Sequence, residues 1–354
     1  MKTPLLRRAT QLGLVATLGL AATLATSGSA GAASSPTAFV IGRTLNIIGT
    51  SGPDDITVSI ASATSTTLLV DLDHDGGVDQ QFDRSAVDAL NVALGSGNDR
   101  FSANGVPMSQ TSIIDGGSGD DTIVGTAGGD IIIGGSGADN LTGGTGDDAI
   151  VGGSGADVTA GGLGHDTADL GSGDDSFSWV PGEGSDDVNG GSGNDTLLFF
   201  GANGAEQMSL SASGPRAVFT RVQGTIVMNL DVVEHLDLRA LGGADTITVN
   251  DVTGTALTQA DIDLSLAGNG GASDGAADVV TVNGTNADDH VNVAAQGAQV
   301  VVSGLQPQTR ITGANTADPD LLQVNTNDGN DTINVDPGAQ ALIGVTPNLG
   351  PGQH

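Results

Sequence analysis

GGSGDDTIV (116–124), GTAGGDIII (125–133), GGSGADNLT (134–142), GGTGDDAIV (143–151), GGSGADVTA (152–160), GGLGHDTAD (161–169) and LGSGDDSFS (170–178) follow one another without a gap. Trp179 and Val180 intervene, and PGEGSDDVN (181–189) and GGSGNDTLL (190–198) complete the run. An Asp stands at the sixth place every time: Asp121, Asp130, Asp139, Asp148, Asp157, Asp166, Asp175, Asp186 and Asp195. Asp supplies 39 of the 354 residues, about one in nine, so nine hits in one phase do not come from composition. The period is real, and the rest of the chain is read outward from it.

Each nine divides into a Gly-rich six and a three-residue strand. The glycines permit positive φ and tight reversal where bulkier residues are strained. The strand then turns its middle side chain inward, giving Ile123, Ile132, Leu141, Ile150, Thr159, Ala168, Phe177, Val188 and Leu197 as the candidate core. One inward residue per strand makes a thin core, too thin by itself to offset the entropy of ordering so much glycine. Thr159 and Ala168 fill it poorly and mark a weak point.

Charge adds to the problem. Residues 116–198 contain fourteen Asp and Glu183 but no Lys or Arg, so collapse crowds carboxylates without counter-charge. Ordered carboxylates and carbonyls with no soft ligand describe a site for a hard divalent cation. The adaptable oxygen coordination of Ca²⁺ suits such turns better than the strict octahedron of Mg²⁺. Cation binding is then coupled to folding.

The pattern G-G-x-G-x-D-x-U-x resembles the hemolysin-type (RTX) calcium-binding nonapeptide repeat, a parallel β-helix signature. The resemblance covers residues 116–198. It implies a parallel β-roll with two nonapeptides per turn and Ca²⁺ held by backbone carbonyls and by sixth-place Asp side chains two repeats apart. The implied pairs are Asp121 with Asp139, Asp130 with Asp148, Asp139 with Asp157, Asp148 with Asp166, and Asp157 with Asp175. GTAGGDIII lacks the second Gly, the nines at Leu170 and Pro181 lack the first, and Trp179-Val180 breaks the phase. Asp166 with Asp186 and Asp175 with Asp195 are therefore outside the regular scheme.

Upstream, Lys2, Arg7 and Arg8 precede an apolar run from Leu12 to Leu24 and an Ala30-Gly31-Ala32 cleavage site, which reads as a secretion signal over 1–32. Its removal leaves seven basic and 42 acidic residues, 7 − 42 = −35. Such a surface attracts cations and repels nucleic acid and anionic membranes. There is no Cys, so neither disulfides nor thiolate metal sites hold the fold.

Residues 33–44 read as a linker, and 45–115 as a β-rich unit with its connector. After the 116–198 block come two further β-rich units, 199–249 and 250–336, and a loose tail, 337–354. A longer repeat links the flanks: Val87 to Asp99, Val233 to Asp245 and Pro319 to Asp331 share one strand-then-turn pattern. Gly49-Thr50 through Asp54 also resembles Gly284-Thr285 through Asp289. The predicted fold is all-β, a parallel β-roll or β-helix solenoid with flanking β-rich repeats.

Other candidates are weaker. Asp71-x-Asp73-x-Asp75-Gly76 imitates the start of an EF-hand loop, yet Phe82 stands where the bidentate Glu belongs, so a solvated hairpin turn is the favoured reading over a calcium site. Lone Asp99, Asp245 and Asp331 read as structural turns without tandem partners. The five His residues, His74, His165, His235, His290 and His354, show no zinc spacing. Phe177, Trp179, Phe199 and Phe200 read as a cap on the last coil, with a ligand platform as the alternative. The leading expectation is a secreted, non-enzymatic, calcium-binding structural or interaction protein, with a cell-surface or matrix component as partner. The rival is an extracellular polysaccharide-acting enzyme on a parallel β-helix.

Overall fold

The structure, a computed structural model, describes residues 35–351 apart from 74. Residues 1–32, read as a secretion signal, and His74 and His354 lie outside the described residues. The chain divides into two compact units, one through Gly171 and one from Ser172. Each is all-β, with strands in two sheets and short turns between them.

In the first unit, one sheet runs through Thr37–Ile41, Thr44–Ile48, Ala89–Ser96, Ser112–Ser118, Asp130–Ser136, Ala149–Ser154 and Thr167–Ser172. The other runs through Gln80–Asp83, Thr67–Asp71, Asp55–Ile60, Arg100–Ser102, Thr122–Val124, Asn140–Thr145 and Val158–Leu163. Successive nines alternate between the sheets, so 18 residues make one coil and like places stack. Ile132 lies in register with Ile114 and Ile150, and Leu141 with Ile123 and Thr159. These pairings are parallel, as the period requires.

The inward eighth-place residues Ile123, Ile132, Leu141 and Ile150 are fully buried and join one core with Ile114 and Phe101. Alternation explains the burial: place six and place eight face in, while place seven looks out except at Ile131 and Thr167, which are covered. Thr159 is also buried, and its hydroxyl oxygen has no hydrogen-bond partner, a local weakness that the sequence had marked.

The unit is closed at one end by antiparallel strands. Thr37–Ile41 pairs with Thr44–Ile48, so residues read from composition as linker form an edge hairpin around Gly42. Ala38 fills the core side of that hairpin, and Arg43 is paired with Asp88. Asp55–Ile60, Thr67–Asp71 and Gln80–Asp83 form a three-stranded antiparallel meander on the other sheet.

The second unit repeats the scheme with insertions. Ser176–Trp179, Thr196–Phe200, His235–Arg239, Gln259–Asp263 and Gln308–Thr312 pair in parallel in one sheet, and Gln207–Ser213, Thr246–Val249, Val279–Asn283, Leu321–Asn325 and Gly344–Asn348 in the other. Antiparallel strands Arg216–Arg221 and Ile226–Asp231 are added to the second set, and His290–Gln296 and Gln299–Ser303 to the first. The tail, read as loose, contains a helical turn at Pro337–Gln340, N-capped by Asp336, and the strand Gly344–Asn348. Ile343 and Ala339 are buried there, which anchors it.

Phe177, Trp179 and Phe199 are interior rather than a cap, and Phe200 is half-buried. Trp179 stacks on Phe199 with ring centroids 4.2 Å apart, and Phe199 meets the edge of Phe219 at 4.6 Å. The Trp179 indole N–H donates to the Gly184 carbonyl at 2.7 Å, so Trp179 extends its strand into the core and only Val180 joins the turn that follows.

Candidate metal centre

Two columns of sixth-place carboxylates run along the first unit. In one, the Asp99 N–H donates to Asp121 Oδ1, the Asp121 N–H to Asp139 Oδ1, and the Asp139 N–H to Asp157 Oδ1, at 2.8, 2.8 and 2.9 Å. In the other, the Asp130 N–H donates to Asp148 Oδ1 and the Asp148 N–H to Asp166 Oδ1, both at 2.8 Å. In the second unit the Asp175 N–H donates to Asp195 Oδ1 at 2.9 Å, despite the two-residue phase break between them. Every one of the nine sixth-place Asp residues is at least 98% buried.

These bonds occupy only half of each carboxylate. The Oδ2 atoms of Asp121, Asp139, Asp148 and Asp195 are buried with no hydrogen-bond partner. A buried acceptor without a donor is costly, and a buried carboxylate more so. The space beside these atoms is shared with carbonyl oxygen. A Cβ added to Gly116 would meet both Asp121 Oδ2 and the Gly134 carbonyl oxygen, and one added to Gly134 would meet Asp139 Oδ2 and the Gly152 carbonyl oxygen. The same holds at Gly143, for Asp148 Oδ2 and the Gly161 carbonyl. First-place Gly therefore leaves a cradle in which a carboxylate oxygen and a carbonyl oxygen from the next coil converge.

Burial and crowding show in the protonation equilibria. Burial, joined by neighbouring carboxylates, pushes Asp121 and Asp139 up to about 6 and Asp148 up to about 8. Burial likewise raises Asp157, Asp166 and Asp195. In the second unit it raises Asp245 to about 8 and Asp278 to about 7. Each is the response of an anion held away from water without a counter-charge.

An all-oxygen cradle lined by carboxylate and carbonyl groups fits a hard cation, and the orphaned Oδ2 atoms are where it would be held. Residues 115–150, 133–168, 142–177 and 182–197 match the RTX calcium-binding nonapeptide repeat, in four copies. This segment is an RTX calcium-binding repeat. The matched residues are less than a quarter of the chain, and no curated protein matches it. Calcium is the ion that RTX repeats bind, and the ladder of buried Asp residues is consistent with it.

Two groups sit differently from their sequence reading. Asp130 belongs to its column, but Thr126 occupies both its oxygens: the Thr126 N–H donates to Oδ2 at 2.5 Å and the hydroxyl to Oδ1 at 2.9 Å. Asp99, Asp245 and Asp331, read as lone turns, have partners after all. The Asp54 N–H donates to Asp99 Oδ1, that of Asp245 to Asp278 Oδ1, and that of Asp289 to Asp331 Oδ1, each at 2.8 Å. Their partners lie 22 to 45 residues away instead of 18, the difference being looped out.

The EF-hand-like stretch brings Asp71, Asp73 and Asp79 together, with Asp79 rather than Asp75 as the third member. Its carboxylates accept from local N–H groups of Leu72, Asp73, Asp75 and Gly76 at 2.8 to 3.3 Å, as a hairpin turn does. His235 contacts Asp261 and His290 contacts Thr332, each a surface pairing between neighbouring strands. A cleft of about 290 Å³ in the second unit is lined by Asp237, Arg239, Asp261, Asp263 and Arg310 among others, a checkerboard of opposite charges.

Proposed function

We propose that this chain is an exported, calcium-binding structural or interaction protein whose coils are ordered by Ca²⁺. The observation that carries this reading is the buried Oδ2 atoms of Asp121, Asp139, Asp148 and Asp195 without hydrogen-bond partners, each beside a carbonyl oxygen of the next coil. Asp121, Asp139, Asp148, Asp157, Asp166, Asp175, Asp186 and Asp195 are the proposed side-chain ligands, with the carbonyls of Gly134, Gly152 and Gly161 beside the first three. A bound Ca²⁺ supplies the positive charge that these oxygens lack; the protein's own part is to hold them in register through the N–H to Oδ1 bonds. Without the ion, folding gathers buried carboxylates whose mutual repulsion opposes it, so binding and ordering proceed together. The export reading rests on residues 1–32, and calcium is abundant where an exported chain would fold. No helix among the described residues is long and apolar enough to cross a membrane.

Far-UV circular dichroism with and without millimolar Ca²⁺, alongside Trp179 fluorescence, tests the reading. A large gain of β signal and a shift of Trp179 into its buried stack are expected. An unchanged spectrum would refute it.

A further inference from the structure

Sixth-place carboxylates come in two states, and the residue at the second place separates them. In the first state the second-place N–H donates to the carboxylate: Thr50 to Asp54 at 2.6 Å, Thr126 to Asp130 at 2.5 Å, Ala202 to Glu206 at 2.7 Å and Thr285 to Asp289 at 2.9 Å. Where the residue is Thr, its hydroxyl also binds the other oxygen, at 3.1, 2.9 and 2.9 Å for Asp54, Asp130 and Asp289. None of these four second-place residues has positive φ. In the second state the second-place residue has positive φ and Oδ2 is buried without a partner. Gly117 with Asp121, Gly135 with Asp139, Gly144 with Asp148 and Gly191 with Asp195 are of this kind.

The same open state occurs where no repeat is matched. Gly95 has φ 112°, and Asp99 Oδ2 is buried without a partner. Asp99 lies in the same column as Asp121, and Gly95 and Ser96 are in register with Gly117 and Ser118. In the second unit Leu241 and Asn327, neither of them glycine, hold φ at 68° and 59°, and Oδ2 of Asp245 and of Asp331 is buried and orphaned. Left-handed backbone at Leu costs free energy and persists only where the surroundings impose it. The cause is geometric: φ at the second place sets how its amide is turned relative to the rest of the loop. With negative φ the N–H closes on the carboxylate; with positive φ it turns away and the oxygen is left for another ligand.

Building on the calcium reading above, we propose that second-place backbone sign selects which loops take Ca²⁺. The selection adds a calcium site at Asp99, outside the matched repeats, together with open loops at Asp245 and Asp331. It removes Asp130, whose loop is closed by Thr126. The chain thus combines ion-dependent loops with loops closed by their own hydrogen bonds.

The test counts bound Ca²⁺ per chain, by equilibrium dialysis or native mass spectrometry, on the full exported protein. Asp99→Asn should lose one ion, Asp139→Asn at least one, and Asp130→Asn none. Thr126→Gly should gain one, a result that misfolding cannot produce. An unchanged count in Asp99→Asn, a lost ion in Asp130→Asn, or no gain in Thr126→Gly would each overturn the selection while leaving calcium binding in place. A wild-type chain with no bound calcium, or a full count in Asp139→Asn, would instead remove the calcium reading and the proposal with it.

Discussion

Gly146→Ala separates the coil's two demands on glycine, backbone sign and absence of a side chain. Gly146 is the fourth place of GGTGDDAIV and holds φ at 122°. An Ala there leaves the favoured region for L-residues, which costs about 1–3 kcal/mol. Its Cβ would also lie 2.6 Å from the Gly128 carbonyl carbon and 2.7 Å from the Gly129 nitrogen, both backbone atoms of the adjacent coil. Relieving that overlap means moving a coil, an overpacking cost of about 1–3 kcal/mol more. The sum, about 2–6 kcal/mol, corresponds to roughly 1–3 M in urea midpoint at about 2 kcal/mol per M. Two controls in the same unit isolate the terms. Gly105 has φ 70° with nothing within 4 Å of an added Cβ, so Gly105→Ala carries only the backbone cost, about 1–2 kcal/mol. Gly52 has neither constraint and should tolerate Ala with a change of under about 0.5 kcal/mol. Urea unfolding in saturating Ca²⁺, followed by circular dichroism, gives the three midpoints. If Gly146→Ala falls no lower than Gly105→Ala, the close approach of coils argued here is wrong.

In calcium-free buffer, stability should fall as pH rises from about 5 to 8. Asp121 and Asp139 near 6 and Asp148 near 8 lie above the unfolded carboxyl value of about 4. The folded state therefore holds the extra protons, and the stability they lend is complete below about pH 4 and lost through 6 to 8. Thermal melts in EDTA check this, and a midpoint rising with pH would contradict it; calcium affinity should move the opposite way, rising with pH as protons leave its ligands. Thr159→Val should stabilise the first unit by about 1 kcal/mol, because it replaces a buried hydroxyl oxygen without a partner by a methyl of similar size. Ile132→Ala, in the middle of the same core, should cost about 2–5 kcal/mol in a denaturant titration. Arg221→Met should destabilise the second unit by about 3–5 kcal/mol, since it strands the buried Glu206 carboxylate and removes the cation that lies 5.6 Å from the Trp179 ring; Trp179 emission during unfolding reports it.

The sequence made legible whatever repeats at fixed distance. The period of nine gave the Asp columns, the inward Ile123, Ile132, Leu141 and Ile150, and the parallel pairing of repeats two apart, because each depends on contacts 18 residues away. Asp175 with Asp195 survived a broken phase because Trp179 folds into the core instead of displacing the coil. Distances that vary were not legible. Asp99 meets Asp54 and Asp121 across unequal stretches of chain, and nothing local in Gly97-Asn98-Asp99 announces either partner. The closed loop at Asp130 was half visible: the missing second Gly was plain, but its meaning needed the Thr126 amide and hydroxyl in place. The strands at 37–41 and 344–348 look like linker and tail because an edge strand needs few apolar residues; Ala38 and a backbone ladder suffice for one, and pairing with Leu321–Asn325 for the other.

The added hairpin of the second unit has a practical use. Gln207–Ser213 and Arg216–Arg221 meet at Gly214-Pro215, where Gly214 holds φ at 64°, an added Cβ would touch nothing within 4 Å, and the turn is exposed. The inward residues of those strands, Met208, Leu210, Ala217 and Phe219, lie well behind that tip. A foreign peptide spliced between Gly214 and Pro215 would be displayed at the tip of that hairpin, and, if Ca²⁺ orders the coils as proposed, a chelator would loosen the scaffold beneath it.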